Sequence, residues 1–194
     1  MANPSSGKLT TKFKGVVFDL DGTLINTLPD ILAALNQVMV GEGLREIHED
    51  EGKTFIGGGA YNLIEQAFLA IGINPEDPRV ETAFQQFLIR YEKDPTSRSQ
   101  IYPGVKDCLG TLQLSGIKMG VCTNKPIGLT RKIISEMAID HYFGEAILGG
   151  DSLDVRKPNP QHVIRVIELM GTRTNDVIMV GDSETDVKAA RGAG

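Results

Sequence analysis

Short apolar runs alternate with segments of helical periodicity along most of this chain. The runs lie at residues 15–20, 117–124, 144–150 and 176–182. Apolar residues recur at helical spacing in four segments of the carboxyl-terminal half, at 105–115, 128–138, 160–170 and 183–194. Strands separated by helices of this length are typical of βαβ units. The pattern therefore predicts an α/β fold with a parallel sheet.

The segment from residue 26 to residue 99 follows a different pattern, since it contains no strand candidate. Apolar residues at helical spacing predict three helices there, at 29–40, 60–72 and 78–92. The exit from this segment, "KDPTSRSQIYPG", is polar and rich in turn residues, and we expect a hinge there. The chain is thus predicted to form an α/β core domain, from 1–25 and 100–194, with an inserted all-helical cap domain at 26–99.

The end of the sequence affects the predicted sheet. The apolar run at 176–182 is followed by one helix, and the sequence then stops at Gly194. This order leaves the run near the edge of the sheet, where an exposed apolar strand promotes aggregation unless it is covered. We therefore expect one or more final strands to follow residue 194 in the complete protein.

Composition limits the class of protein and its partners. Hydrophobic residues make up 41% and charged residues 23% of the 194 residues, as in globular proteins. The sequence has no signal-peptide pattern and no run of 18 apolar residues, so a cytoplasmic protein without a membrane partner is expected. A net charge of −5 argues against a nucleic-acid partner. Cys108 and Cys122 are expected to be reduced packing residues. Monomer and homodimer both stay open.

Polar residues suited to chemistry follow the predicted strands. They are Asp19 and Asp21 after the first strand, Thr123 and Asn124 after the second, Lys157 after the third, and Asp182 and Asp186 after the last. The carboxyl ends of parallel strands meet at one edge of a sheet, so these residues are expected to share one crevice. Four carboxylates suit Mg²⁺, while an ammonium and a hydroxyl donate to phosphate oxygens.

Four short motifs, "DLDGTL", "TNK", "RKPNP" and "GDSETD", together resemble the ordered motifs of the haloacid dehalogenase superfamily of phosphohydrolases. The resemblance covers Lys14 to Gly194 and implies a Rossmann-like parallel sheet core. The helical segment after the first motif resembles the α-helical cap of one subclass. Within the superfamily, "TFIGGGAYNLIEQAF" and "ILGGDSLDVRKPNP" resemble the phosphoglycolate phosphatase family.

The resemblance implies a role for each acid of the first motif. Asp19 would be the nucleophile that attacks phosphorus and forms an aspartyl-phosphate. Asp21 would protonate the leaving alkoxide and then deprotonate the attacking water. The carboxylates of Asp19 and Asp182 and the backbone carbonyl of Asp21 would hold Mg²⁺. An acid at Asp21 also favours phosphate chemistry, since the dehalogenase branch lacks it.

The later motifs would bind the phosphoryl group. The resemblance implies that Thr123, the backbone N–H of Asn124 and Lys157 contact its oxygens. Asp186 would orient Lys157 or a metal-bound water.

Each of these residues also has an ordinary structural interpretation. Thr123 could cap the helix that begins near Pro126, and Lys157 could be a solvated loop lysine. Asp182 and Asp186, four residues apart, are expected on one side of the first turn of the last helix, where acids are favoured anyway.

Two further features have open interpretations. The glycines Gly57, Gly58 and Gly59 form either a plain interhelical turn or a loop whose backbone N–H groups contact the far end of the substrate. The histidines are scattered without metal-ligand spacing and are expected at the surface; they are His48, His141 and His162.

The favoured function is a Mg²⁺-dependent phosphomonoester hydrolase that acts on a small phosphorylated metabolite, with 2-phosphoglycolate as the substrate. Three alternatives stay open. These are a phosphatase of another small ester such as a sugar phosphate or pyrophosphate, a phosphomutase of the β-phosphoglucomutase type, and a non-catalytic binding protein on the same scaffold.

Overall fold

The computed structural model describes residues 12–194. In chain order its elements are β1 (Gly15–Phe18), β2 (Ile25–Asn26), α1 (Leu28–Gly41), α2 (Glu49–Phe55), α3 (Ala60–Ala70), α4 (Arg79–Lys93), β3 (Gln100–Ile101), α5 (Val105–Leu114), β4 (Lys118–Cys122), α6 (Ile127–Glu136), β5 (Ile147–Leu148), α7 (Pro160–Leu169), β6 (Val177–Val180) and α8 (Glu184–Ala193). Most of the amino-terminal segment, for which no signal peptide is predicted, lies outside the described residues. So does the start of the predicted core domain.

The central sheet has four parallel strands in the order β5-β4-β1-β6. Phe18, the last residue of β1, lies opposite Val121 of β4 and Val180 of β6. Three strands therefore end at nearly the same level, and the residues that follow them share one edge. This sheet, with its flanking helices, confirms the predicted α/β fold with a parallel sheet.

The strand β1 is buried on both faces, because helices cover the sheet on each side. Val16 and Phe18 pack in one apolar cluster with Ile133 of α6. Val17 faces the opposite way and packs with Val163 of α7 and Ala189 of α8 in a second cluster. An uninterrupted apolar run is what a strand with two covered faces requires.

The helices α1 to α4, called here the helical insert, lie between β2 and β3. The helix α4 packs against both α1 and α3. Its inner face contributes Phe87 and Tyr91, whose rings stack with centroids 5.5 Å apart. The sequence pattern did not predict α2, which is polar and buries only Gly52 and Phe55.

A short antiparallel ribbon joins the entrance and exit of the helical insert. Ile25 pairs with Ile101, and Asn26 pairs with Gln100. The hinge was expected to be irregular, so these two-residue strands were not predicted from the sequence. The chain therefore enters and leaves the helical insert at one point.

A buried carboxylate fastens the exit segment next to this ribbon. Asp30, in the first turn of α1, accepts hydrogen bonds from the backbone N–H groups of Arg98 and Ser99 and from the hydroxyls of Ser97 and Ser99. It is only 3% exposed. Asp30 thus ties the helical insert to the segment that returns to the sheet.

The cysteines differ in burial. Both are free; Cys122 is buried in β4, whereas Cys108 is exposed on α5. The expectation of two packing residues is therefore wrong for Cys108. Between residues 12 and 194, every helix is too short or too polar to cross a bilayer.

Candidate active site

A buried lysine joins two carboxylates at the carboxyl edge of the sheet. Asp19 directly follows β1 and is 4% exposed. The Nζ of Lys157 lies 2.8 Å from Oδ1 of Asp19 and 2.6 Å from Oδ1 of Asp186. Lys157 is itself only 2% exposed, which excludes the solvated-lysine interpretation. Asp19, which lies far from Lys157 and Asp186 in the sequence, thus joins them in one ionic cluster.

Burial and charge act in opposite directions within this cluster. Burial raises the pKa of Asp19 to about 6, although the Lys157 ammonium opposes the rise. Burial alone would lower the pKa of Lys157, but the carboxylates of Asp19 and Asp186 raise it above its ordinary value. Lys157 is therefore a permanent cation, as a ligand for phosphoryl oxygens must be.

The acids of the site form an oxygen-only donor set. One carboxylate oxygen each from Asp19, Asp182 and Asp186 lies within 4.8 Å of the others. The Oδ1 atom of Asp19 is buried and accepts no hydrogen bond, despite its ionic contact with Lys157. A carboxylate set of this kind suits Mg²⁺. The grouping includes Asp186, which the family resemblance does not place among the metal ligands.

A glycine lets Asp182 approach the first motif. Gly22 has a φ of +80°, and a Cβ atom there would lie 2.1 Å from Oδ2 of Asp182. The hydroxyl of Thr23 donates to Oδ1 of the same carboxylate at 3.2 Å. The helix α8 begins at Glu184, so the expectation that Asp182 lies in its first turn is wrong.

Asp186 does lie in the first turn of α8. Ser183 and Asp186 form a capping box, in which the Ser183 N–H donates to Oδ2 of Asp186 at 2.9 Å. The other carboxylate oxygen faces Lys157. Asp186 therefore caps α8 with Oδ2 and positions Lys157 with Oδ1.

Asp21 is held by two neighbours that the sequence did not single out. The hydroxyl of Thr27 donates to its Oδ1 at 2.5 Å. The Nζ of Lys125 lies 3.0 Å from the same oxygen. Thr27 is 1% exposed, so this arrangement is buried on one side. The position of Lys125 directly after "TN" is the one sequence signal for its presence here.

The second strand end supplies Thr123 and Asn124, both buried. Thr123 accepts a hydrogen bond from the N–H of Lys125 at 3.2 Å, and Pro126 is the N-cap of α6. The expectation that Thr123 caps this helix is therefore wrong. The side-chain amide of Asn124 donates to the carbonyls of Gly57 and Lys157, at 3.0 Å each.

The three glycines connect α2 to α3 and contact the sheet edge. A Cβ atom on Gly57 would lie 3.3 Å from the Cβ of Ser183, and one on Gly59 would lie 3.3 Å from the carbonyl of Asn124. Gly58 instead packs on the side chain of Asn62. The loop is therefore an interhelical turn that also touches the site, and contact of its backbone N–H groups with a substrate stays a prediction.

The glycine loop and the sheet edge border a cleft. Asp19, Asp21 and Thr123 line its floor. Apolar side chains form most of its walls, among them Ile31, Phe55, Ile56, Leu63, Phe87 and Leu129. Small-ligand sites are typically apolar clefts with a few placed polar groups.

One histidine is not where the sequence placed it. His48 and His141 are exposed as expected, but His162 is completely buried. Its Nε2 lies 3.0 Å from the carbonyl of Gly149, and its Nδ1 accepts from the N–H of Lys157 at 3.3 Å. This pairing requires a neutral ring with its proton on Nε2. His162 thus fixes the loop that carries Lys157.

The chain belongs to the family described as haloacid dehalogenase-like hydrolases, whose model matches residues 16–194. It is 38% identical over 185 residues to the phosphoglycolate phosphatase of Rhodospirillum rubrum, covering 93% of this chain and 76% of that protein. It is 36% identical over 184 residues to the phosphoglycolate phosphatase of Pectobacterium atrosepticum, covering 95% of this chain and 78% of that protein.

Solved structures show the same fold. A crystal structure described as a predicted phosphoglycolate phosphatase from Haemophilus somnus 129PT has a TM-score of 0.87 at 34% identity, covering 95% of this chain and 83% of that one. A haloacid dehalogenase superfamily hydrolase from Geobacter sulfurreducens has a TM-score of 0.70 at 22% identity, covering 95% and 85%; this second likeness concerns the fold alone. Together these findings confirm the predicted superfamily and a phosphatase.

Proposed function

We propose that this phosphatase hydrolyses 2-phosphoglycolate to glycolate and phosphate with Mg²⁺. The observation that supports it best is the buried cluster of Asp19, Lys157 and Asp186, of which Asp19 lines the cleft together with Asp21. The two curated relatives named above are phosphoglycolate phosphatases that match most of this chain.

Asp19 is the nucleophile in this proposal. Its carboxylate attacks phosphorus, and the P–O bond to the alcohol breaks as the aspartyl-phosphate forms. Water then attacks the same phosphorus and restores the carboxylate. The Lys157 ammonium, 2.8 Å away, stabilises the negative charge on the phosphoryl oxygens with Thr123 and the N–H of Asn124.

Asp21 moves the protons. It gives a proton to the leaving alkoxide in the first step and takes one from water in the second. Thr27 and Lys125 hold its carboxylate from one side, which limits the orientations it can take. A fixed geometry is what makes proton transfer efficient.

Mg²⁺ would be held by Asp19 and Asp182 with the carbonyl of Asp21, and Asp186 lies close enough to orient a bound water or Lys157. When bound, the ion neutralises charge on the phosphoryl group. The fit rests on the oxygen-only donor set described above.

The helical insert would act as a cap domain, with residues 26–99 opening and closing over a core formed by 1–25 and 100–194. The contact between Gly57 and Asn124 supports a closed arrangement in which water is kept from the first step. Opening would then release the products.

Phosphate release from a panel of small phosphomonoesters, with and without Mg²⁺, tests the proposal. We expect metal-dependent turnover to be fastest with 2-phosphoglycolate and to be lost in Asp19→Asn. Faster phosphate release from a sugar phosphate or pyrophosphate would overturn 2-phosphoglycolate as the substrate. Isomerised product without free phosphate would indicate a phosphomutase, and no turnover by the folded protein would indicate a binding protein.

A further inference from the structure

A second buried lysine faces the cleft beside Asp21. Lys125 is 6% exposed, and its Nζ lies 3.0 Å and 3.1 Å from the two oxygens of Asp21. It also lies 4.6 Å from the centre of the Tyr91 ring. Burial alone would lower the pKa of Lys125, but Asp21 raises it above its ordinary value, so the ammonium is charged.

Most of the other residues that line the cleft around Lys125 are apolar. Within the described part of the chain it is the one cation among the residues that line the cleft. Tyr91 lines the same cleft; its buried hydroxyl has no acceptor among the described residues, and the Lys125 ammonium interacts with its oxygen. Burial raises the pKa of Tyr91 to about 12, so this hydroxyl keeps its proton and is a free donor. Buried donors without a partner are costly and indicate a missing acceptor.

Lys125 has more donors than Asp21 uses. An ammonium carries three N–H groups, and Asp21 accepts from one face of it. Lys125 and Tyr91 both line the cleft beside apolar side chains such as Phe87 and Leu129. An anionic acceptor there would satisfy both groups.

The distances identify which part of a substrate reaches this place. Asp21 must contact the bridging oxygen of the ester at about 2.7 Å to protonate it. Lys125, 3.0 Å beyond Asp21, is then within about 6 Å of that oxygen. In 2-phosphoglycolate one CH₂ group separates the bridging oxygen from the carboxylate, whose oxygens lie about 3 Å away by ordinary bond lengths. The carboxylate therefore fits between the bridging oxygen and the ammonium.

We propose that Lys125 and Tyr91 form a subsite for a carboxylate on the leaving group, which makes the enzyme selective for phosphate esters of small hydroxy acids. This inference rests on the proposed function, because attack by Asp19 and protonation by Asp21 fix the direction of the substrate. It assigns substrate choice to the second motif, in addition to the glycine loop.

The test compares an acidic substrate with a neutral one of similar size. We would measure kcat and KM for 2-phosphoglycolate and for 2-hydroxyethyl phosphate, in which an alcohol replaces the carboxylate. Lys125→Met should lower kcat/KM for 2-phosphoglycolate by about 10- to 100-fold, mainly through KM, the effect of losing one charged hydrogen bond. Activity on 2-hydroxyethyl phosphate should also fall, because Asp21 loses its ion-pair partner, but the ratio of the two kcat/KM values, 2-phosphoglycolate over 2-hydroxyethyl phosphate, should drop by about 10-fold. Lys106→Met, an exposed lysine on α5, is the matched control and should behave as wild type.

A second variant guards against a folding defect, since Lys125→Met leaves Asp21 without its ion-pair partner. Tyr91→Phe removes one hydroxyl without touching Asp21 and should lower kcat/KM for 2-phosphoglycolate selectively, by about 10-fold. Equal losses of kcat/KM on both substrates in Lys125→Met would show that Lys125 acts only by holding Asp21. That result would overturn the subsite.

The outcomes separate this inference from the proposed function. A wild-type enzyme that hydrolyses acidic and neutral esters equally well overturns the subsite and leaves the phosphatase intact. A preference for another hydroxy-acid phosphate that Lys125→Met abolishes supports the subsite and overturns 2-phosphoglycolate. Absence of any turnover overturns both.

Discussion

Gly22 determines how close Asp182 comes to the first motif. The left-handed backbone at this residue, with a φ of +80°, turns the chain directly after Asp21. The missing side chain leaves room for the Asp182 carboxylate, which a Cβ atom would contact at 2.1 Å. One residue thus meets a conformational and a steric demand together.

Under the proposed Mg²⁺-dependent function, Gly22→Ala should displace Asp182 and weaken activation by the ion. We expect at least a tenfold loss of kcat/KM at limiting Mg²⁺, because outright loss of a charge-assisted contact costs on this order. Phosphate release as a function of Mg²⁺ concentration measures it.

Gly116→Ala is the matched control for that substitution. Gly116 has a similar φ of +73°, but a Cβ atom there meets nothing within 4 Å. It should lose about 1 kcal/mol of stability from backbone strain and keep its Mg²⁺ response. Equal loss of activity in both variants would contradict the steric explanation.

His162 should make stability depend on pH. Burial lowers its pKa below the ordinary 6.5, so the unfolded chain takes up a proton first as the pH falls. The contribution of His162 to the free energy of unfolding is therefore fully present above about pH 6.5 and is lost as the pH falls below it. Urea unfolding at about pH 7.5 and pH 5.5 should show a smaller decrease in His162→Gln than in wild type.

His141→Gln provides the comparison, because His141 is exposed. It should lose as much stability on acidification as wild type. If His162→Gln also behaves as wild type, the buried ring does not contribute to the pH dependence.

At the scale of elements, the main strands and most helices were predictable because burial leaves a regular pattern. The strands β1, β4 and β6 are short and mostly apolar, and helices such as α1, α3 and α7 bury an apolar stripe. The helix α2 lacks one, since its sequence EDEGKTF is polar and it is fixed by capping from Glu51. The β2–β3 ribbon has only two residues a strand, too few for any periodicity.

The same contrast applies to the site. Asp19, Lys157 and Asp186 were predictable because they follow strands or belong to short motifs. Thr27 and Tyr91 were not, because they lie on the helical insert or at its entrance and reach the cleft only through packing. His162 shares a helical stripe with Val163 and Val166, a signal of burial that outweighs its polarity.

Asp30 should stabilise the junction between the helical insert and the sheet. Asp30→Asn replaces one acceptor oxygen with a donor facing the N–H groups of Arg98 and Ser99. We expect a loss of about 2–3 kcal/mol in the free energy of unfolding, the penalty for unsatisfied buried groups. Urea denaturation measures it.

Asp94→Asn is the corresponding control, since Asp94 is exposed just before the same segment. It should change stability by less than about 0.5 kcal/mol. A similar loss in both variants would mean that net charge, and not the hydrogen bonds to the buried Asp30 carboxylate, determines the stability of this segment.

At the scale of the molecule, β6 pairs on one side only, with β1, within residues 12–194. In these residues Ile178 is 43% and Val180 39% exposed. Unpaired backbone groups beside apolar side chains form a template for pairing with another chain.

Ile178→Lys should therefore raise the concentration at which the 194-residue chain aggregates, because charge on an edge strand opposes pairing. Light scattering at increasing protein concentration measures this. Ile89→Lys, at a position on α4 that is 71% exposed, should change aggregation less. An equal effect of both would show that exposed apolar area, and not the strand edge, causes the association.

The β2–β3 ribbon has a consequence for how such enzymes diversify. Because Asn26 pairs with Gln100, the two ends of the helical insert lie side by side. The insert contributes no strand to the four-stranded sheet. A segment with adjacent ends can be lengthened, shortened or exchanged while the reacting acids keep their places. New substrate preferences can therefore arise by grafting at this junction, without redesign of the chemistry beneath it.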